Sequence, residues 1–344
     1  MDIFTGADIK TARRYGINNP VQRIEIGKIH SLLEELKIGQ EAAIITEVSG
    51  GGAANVAKIA GYLGLEAGFS GALGMEKPGI ENKDSPGPDH YGRLFSQNLI
   101  SAGVKLFTPL KPSPSGLCLY LKVGEENRII ASPSAALELR ENDIPEEELK
   151  KAKVLVIEGF LLERKELISH ILRLSSHYGI PAALDLGSPY FAEKYAGDIM
   201  EYTRSYPLIL FMNQDEGAAF AKALTNRAAM GPKGEADFAG LSSFFCSFTG
   251  GKDFPIVALK LGAGGAACFA QGEVFRAETT EIKNAESTGA GDAFCAGFLK
   301  AWIQGKALAT CTVLGNKCAA LVLDAAGSQI DGEGFNIDKK MDIN

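Results

Sequence analysis

Between residues 153 and 224 the chain alternates short, almost wholly apolar runs with stretches whose apolar residues recur every three or four positions. "KVLVIEG" (153–159), "IPAALDL" (180–186) and "PLILFMN" (207–213) have the length and composition of strands buried on both faces. Each leads into a segment of helical period: "RKELISHILRLSSHYG" (164–179), "YFAEKYAGDIMEYTRSY" (190–206) and "QDEGAAFAKAL" (214–224). Apolar strands joined through helices predict a parallel sheet covered on both faces, with right-handed crossovers. Residues 104–132 read differently, as strand-like runs around a Pro/Ser loop and a turn at "GEEN", with no helix. Together with "EAAIITEV" (41–48) they predict a small antiparallel sheet outside the main one, either a lid or an edge extension. The polar, Pro/Gly-rich "MEKPGIENKDSPGPDH" (75–90) predicts an inserted loop.

Composition narrows what such a fold can do. A chain of 344 residues, 46% hydrophobic and 22% charged, suits one large α/β unit or a large domain carrying a smaller one. The formal net charge of −7, with no long Lys/Arg block, argues against nucleic-acid and membrane-surface partners and for a small-molecule ligand. Six cysteines without a C-x-x-C pair, several in apolar stretches, predict free buried thiols in a reducing cytoplasm. The first thirty residues hold no signal-type apolar core, and no run of about 18 apolar residues occurs, which again predicts a cytoplasmic protein. His170 and His177 could share a helix face, but no Cys or acid stands at ligand spacing, so a zinc site is not expected. No G-x-S-x-G elbow, no P-loop and no early G-x-G-x-x-G after a strand is present.

The chemistry concentrates in two glycine-rich entries to helices. In "STGAGDAFCAGFLKAW" (287–302), Phe294, Phe298, Leu299 and Trp302 follow helical spacing from Ala290 onward. Gly289, Ala290 and Gly291 then lie at a helix N-terminus, where unpaired N–H groups and the dipole favour an anion and small side chains let it approach. Asp292 in the first turn would stand beside that anion, able to accept a proton from an attacking hydroxyl; alone, it would only be a favourable first-turn acid. "SGGGAANVAKIAGYLG" (49–64) also runs from glycines into an amphipathic helix, with Asn55 at its opening.

Gly50-Gly51 with Asn55, and "STGAGDAF" late in the chain, resemble the two signatures of the ribokinase-like (PfkB) carbohydrate kinase family, over a likeness running from about Tyr15 to Ser328. The resemblance implies a ribokinase-like three-layer α/β/α fold with a mostly parallel central sheet and a small β-sheet lid. It implies one kinase domain over 1–344, with lid strands drawn from about 41–48 and 104–132. It implies a kinase that uses ATP and Mg²⁺ to phosphorylate a hydroxyl of a sugar or nucleoside, with Asp292 as base and Gly289, Ala290 and Gly291 cradling the transferring phosphate. "NQDE" (213–216) is similar to the family's N-x-x-E motif, so Asn213 and Glu216 are expected to position metal and phosphates, mostly through water; a helix-capping Asn with a first-turn acid is the plainer alternative. "KLGAGGA" (260–266) resembles the segment lining the nucleotide phosphates, which nominates Lys260, Gly262 and Gly265. Thr288 belongs to the same nucleotide set, as does Asn316 of "GNKCAALVL" (315–323), expected near the adenine. Gly50, Gly51 and Asn55 are the expected substrate contacts. "YGINNPVQRIEIGKIHSLLEEL" (15–36), "EGFLL" (158–162) and "SPSAALELRENDI" (132–144) look most like the adenosine kinase-like branch, whose bacterial members include sugar kinases.

The chain also departs from the family pattern. Members open with an apolar strand carrying an Asp that grips substrate hydroxyls; "MDIFTGADIKTARRYG" predicts no such strand and leaves Asp2 and Asp8 outside the usual context, as if the reading frame started late or substrate binding were altered. That loss favours a non-catalytic sugar- or nucleoside-binding sensor on a kinase scaffold, against which stand Asp292, Asn213 and Glu216. Glu286 occupies the place of the usual Asp in a monovalent-cation loop, a conservative exchange for a K⁺ site. A lid sheet of this kind serves either a homodimer or the closure of a monomer.

Overall fold

A computed structural model describes residues 1–19, 21–39, 46–76, 86–225, 237–251, 253–279 and 288–324. They fall into two units, one within Met1–Ala54 and Ala67–Asp143, the other within Asn55–Glu66 and Ile144–Asn344.

The first unit contains a five-stranded mixed sheet in the order β2-β9-β8-β1-β3. Its strands are β1 (Asp2–Ala7), β2 (Val21–Arg23), β3 (Thr46–Val48), β8 (Leu117–Val123) and β9 (Glu126–Ser132). β8 and β9 form the hairpin expected at "GEEN", turning at Gly124, whose φ of 61° suits a residue without a Cβ. The expectation of an opening without a strand is wrong. β1 pairs parallel with β8 and antiparallel with β3, and Ile3 is fully buried between them. This parallel partner also makes the sheet mixed rather than antiparallel. Residues 41–45 of the nominated lid segment, and 77–85 of the 75–90 insertion, lie outside the described residues. Two short parallel pairs, β4 (Gly68–Ser70) with β6 (Lys105–Phe107) and β5 (Leu73–Gly74) with β7 (Leu110–Lys111), take up the start of the 104–132 stretch. Helices α1 (Ile9–Arg14), α2 (Ile26–Gly39) and α4 (His90–Ser101) belong to this unit, and α3 (Gly52–Tyr62) leaves it at Ala54.

The second unit holds a six-stranded sheet in chain order: β10 (Leu155–Glu158), β11 (Ala182–Asp185), β12 (Leu208–Asn213), β13 (Ile256–Lys260), β14 (Ala266–Ala270) and β15 (Glu273–Ala277). The first four run parallel and the last two antiparallel. Residues 208–212 of β12 are all buried, the pattern of a strand covered on both faces. Among the connecting helices, α5 (Glu146–Leu149) precedes β10. α6 (Lys165–His177) buries Leu167, Ile168, Ile171 and Leu172 on one stripe. The single helix expected over 190–206 is two, α7 (Pro189–Lys194) and α8 (Ala196–Ser205), parted at Tyr195, where φ is −105° and ψ 15°. α9 (Gln214–Thr225) and α10 (Phe238–Thr249) follow.

α11 (Ala290–Ile303) and α12 (Leu308–Asp324) pack closely, because a Cβ on Gly297 would stand 2.5 Å from Cys318 Sγ. The buried rings of Phe294 and Phe298 meet Phe211 of β12 edge-on, with centroids 6.2 and 5.3 Å apart, and Trp302 packs on the same core. Burying a side chain of this size stabilises by about 2–3 kcal/mol, so α11 is anchored along most of its length. Lys300 donates to the Leu63 carbonyl at 2.9 Å, tying α11 to the chain after α3. No disulfide joins any of the six cysteines; four are buried, and Cys118 and Cys246 are half-buried. Among the described residues no helix is long and apolar enough to cross a membrane.

Candidate active site

The four parallel strands of the second unit end on polar residues. Glu158 closes β10, Asp185 β11, Asn213 β12 and Lys260 β13, with Glu158 opposite Asp185 and Asn213 opposite Lys260 in the ladder. Apolar strands with polar carboxyl ends are the usual ligand side of an open α/β sheet.

The amino end of α11 reaches this edge. Its N-cap, Gly289, has φ 84° and ψ −11°, a left-handed conformation that costs a residue with a Cβ but not glycine, and no side chain caps the helix. Ala293 N–H bonds back to the Gly289 carbonyl at 3.0 Å, while helix geometry leaves the amides of Ala290, Gly291 and Asp292 without intrahelical carbonyl partners. The end of Lys260 lies beside Gly291, where a Cβ would stand 3.3 Å from Lys260 Nζ.

Asp292 Oδ2 accepts a hydrogen bond from Asn55 Nδ2 at 2.8 Å, joining α3 to α11. Surrounding protein strips water from the Asp292 carboxylate, and Asp185 adds like charge; against the pull of Asn55 and Lys260, its pKa is pushed up to about 7. Lys260 Nζ donates to both Asp185 oxygens, at 3.0 and 3.2 Å, and Cys295 Sγ donates to Asp185 Oδ2 at 3.3 Å. Burial opposes the charge on Lys260, but Asp185, Cys295 and Glu216 more than offset it and raise its pKa, so the ammonium stays protonated.

Asn213 and Glu216 close a reciprocal capping box on α9. Glu216 N–H donates to Asn213 Oδ1 at 2.8 Å, while Asn213 N–H and Nδ2 donate back to the two Glu216 oxygens at 2.8 and 3.1 Å. Glu216 is buried, and the lost hydration pushes its pKa up to about 7, although Lys260 lowers it.

Other nominated residues gather elsewhere. Gly262 opens a 3₁₀ turn with φ 57°, and Gly265, with φ 81°, approaches β15 so closely that a Cβ would stand 2.1 Å from the Ala277 carbonyl oxygen. Asn316 Nδ2 donates to that same Ala277 carbonyl at 2.9 Å. Thr288 lies in the turn before Gly289, and Glu286 lies outside the described residues. In the first unit, Gly51 has φ 98°, and a Cβ on Gly50 would stand 1.9–2.1 Å from the carboxyl atoms of Asp2. Asp2 is itself buried, so the acid thought missing stands on β1 beside Gly50.

Asp185 and Cys295 escaped the sequence reading. The signal for Asp185 was present in "AALDLG", an acid closing an apolar strand just before a glycine. Cys295 carried none beyond its place one turn after Asp292.

Among known proteins, the family described as pfkB family carbohydrate kinase matches residues 30–333. The 5-dehydro-2-deoxygluconokinase of Bacillus subtilis (strain 168) is 23% identical over 300 residues, covering 84% of this chain and 85% of that protein. Adenosine kinase 1 of Arabidopsis thaliana is 23% identical over 299 residues, covering 81% and 79%. In fold, the chain is similar to the crystal structure of adenosine kinase from Sinorhizobium meliloti, with a TM-score of 0.77 at 22% identity over 98% of this chain and 95% of that one.

Proposed function

The chain belongs to the pfkB family of carbohydrate kinases and has the ribokinase-like α/β fold, and from that premise we propose that it transfers the γ-phosphoryl group of ATP to a hydroxyl of a sugar or nucleoside. The observation that carries this reading is Asp292, a carboxylate of raised pKa held by Asn55 at the uncapped, glycine-opened end of α11.

In this reading the substrate hydroxyl gives its proton to Asp292 as its oxygen bonds to the γ-phosphorus. The bond from that phosphorus to the β–γ bridging oxygen breaks, and ADP leaves with the electron pair. The amides of Ala290, Gly291 and Asp292 stabilise the charge on the transferring group, aided by the helix dipole. Asn55 orients Asp292 toward its proton.

Among the described residues no group of three or more His, Cys, Asp or Glu could cage a metal. The donors fit Mg²⁺ nonetheless, because that ion keeps several waters and arrives with nucleotide phosphates, needing one or two carboxylates. Glu216, buried and carrying a charge that a cation would relieve, is the residue assigned to it, with Asn213 orienting its oxygens. When bound, Mg²⁺ neutralises charge on the β- and γ-phosphates. Glu216→Gln should therefore shift the Mg²⁺ activation curve to higher concentration at saturating substrate. An unmoved curve would leave Glu216 with its capping role alone.

Asp2 and the Gly50–Gly51 backbone are assigned to substrate hydroxyls, which replaces the expectation of altered substrate binding drawn from a missing strand. A lost charge-assisted hydrogen bond costs about 1.5–3 kcal/mol, so Asp2→Asn should raise the substrate KM roughly ten- to a hundredfold with little change for ATP. ADP release across a panel of sugars and nucleosides tests the whole reading. No release with any member, from protein that binds ATP, would sink it in favour of a sensor.

A further inference from the structure

We infer that the substrate is an anionic sugar. Asp2 holds hydroxyls at one end of a row of side chains on the first unit's sheet, and Arg23 holds a carboxylate or phosphate at the other. The inference names the substrate class of the proposed kinase site and rests on the assignment of Asp2 to it.

Strand register sets the row. Asp2 on β1 pairs with Cys118 on β8, Cys118 with Ala131 on β9, and Ala131 with Arg23 on β2. Paired residues share a face of a sheet, so these four side chains stand on the same side. The opposite face carries Ile3, Leu119 and Ile130, all fully buried. In the row itself Cys118 and Ala131 are half-buried and Arg23 is exposed. Small side chains thus floor the space between an acid and a cation, whose backbones stand three strand spacings or about 14 Å apart. The next row on the same face is mostly apolar: Phe4, Tyr120, Ile129 and Val21, with the two rings stacked at 4.6 Å. It offers a wall to the C–H side of a sugar.

Charge at the far end favours an anion. Arg23 lines a cavity of about 630 Å³ together with Lys28, Glu25, Ser132 and Ser134. Two cations against one acid leave that lining positive, in a chain whose net charge is −7. A guanidinium has five N–H donors in a fixed fork, so Arg23 can keep a protein partner and still grip an anion through two bonds. A sugar acid or sugar phosphate brings such a group to this end; a nucleoside brings none.

Calorimetry on the full-length protein would compare gluconate with glucitol and fructose 6-phosphate with fructose, with adenosine as a further ligand. At least one anion should bind tenfold or more tighter than its neutral counterpart and than adenosine. Arg23→Gln should weaken that anion about ten- to a hundredfold, the span of a charge-assisted hydrogen bond, and leave the neutral counterpart unchanged. Arg23→Lys should recover part of the loss. Asp2→Asn should instead weaken both members of the pair alike, a split that a purely structural role for Arg23 would not produce. Whether gluconate or fructose 6-phosphate responds to Arg23→Gln identifies the anion as carboxylate or phosphate.

Equal affinities within both pairs, tighter binding of adenosine, or anion binding unmoved by Arg23→Gln would overturn the proposal, as would a parent protein that binds none of the five. Anion-selective binding without ADP release on adding ATP would sink the kinase reading and leave the anion site standing. ADP release that favours adenosine or a neutral sugar would do the reverse.

Discussion

Replacing Asp292 with Asn should lower turnover by roughly two to four orders of magnitude, the span of a lost general base, in a protein that still folds. Asn keeps the shape and the partner, Asn55, and loses only the ability to take a proton. The pH dependence of the parent follows from the same group. With its pKa pushed up to about 7 by burial and by Asp185, the base is protonated below that value, so kcat should fall as pH drops through about 7 and level off above it. Stability runs the other way. A carboxyl whose folded pKa lies above its ordinary 3.8 contributes fully to stability below 3.8 and loses that contribution progressively as pH rises from there to about 7, with no further change above. Asp292→Asn should thus gain in melting temperature over the parent between pH 4 and pH 7 and keep that gain at pH 8. Turnover within tenfold of the parent would remove Asp292 from the chemistry, and a lower melting temperature at pH 8 would contradict its desolvated charge.

A second large effect is expected where the reason is steric. Gly265→Ala should destabilise the protein by roughly 2–4 kcal/mol, because a φ of 81° already strains a residue with a Cβ and the Ala277 carbonyl oxygen would lie 2.1 Å from that carbon. The backbone of β15 cannot swing aside as a flexible side chain would. Gly262→Ala, at φ 57° with nothing within 4 Å, should cost only about 1 kcal/mol. Urea unfolding of the two variants compares them directly. Equal, mild losses would show that the approach of Gly265 to Ala277 is looser than the structure has it.

The parallel sheet was legible because its strands advertise themselves. Residues 208–212 read as buried from composition alone, and the helices between the strands carry apolar stripes at their own period. The start of α11 was legible for a similar reason, since glycines followed by a first-turn acid and an apolar helix form a local pattern. β1 was not. Six residues holding Ile3 and Phe4 among Thr, Gly and Asp make a weak strand signal, and its place is decided by β8 and β3, more than forty residues away in sequence. The break at Tyr195 within 190–206 had no local marker either. Asp185 and Lys260 lie 75 residues apart, so the two charges could be read singly while their pairing needed the sheet that sets β11 and β13 in register with β12. For Asn213 and Glu216 the capping spacing was visible, and the burial that raises the pKa of Glu216 was not.

The chain has a single tryptophan, and it rides on α11, ten residues after Asp292 and about 15 Å along the same helix. Half-buried against the core that anchors this helix, Trp302 makes the protein its own optical probe. An emission maximum that stays put across the variants at Asp292 and Glu216 would certify an unaltered helix beneath the altered chemistry, with no label attached and no other indole to confuse the signal.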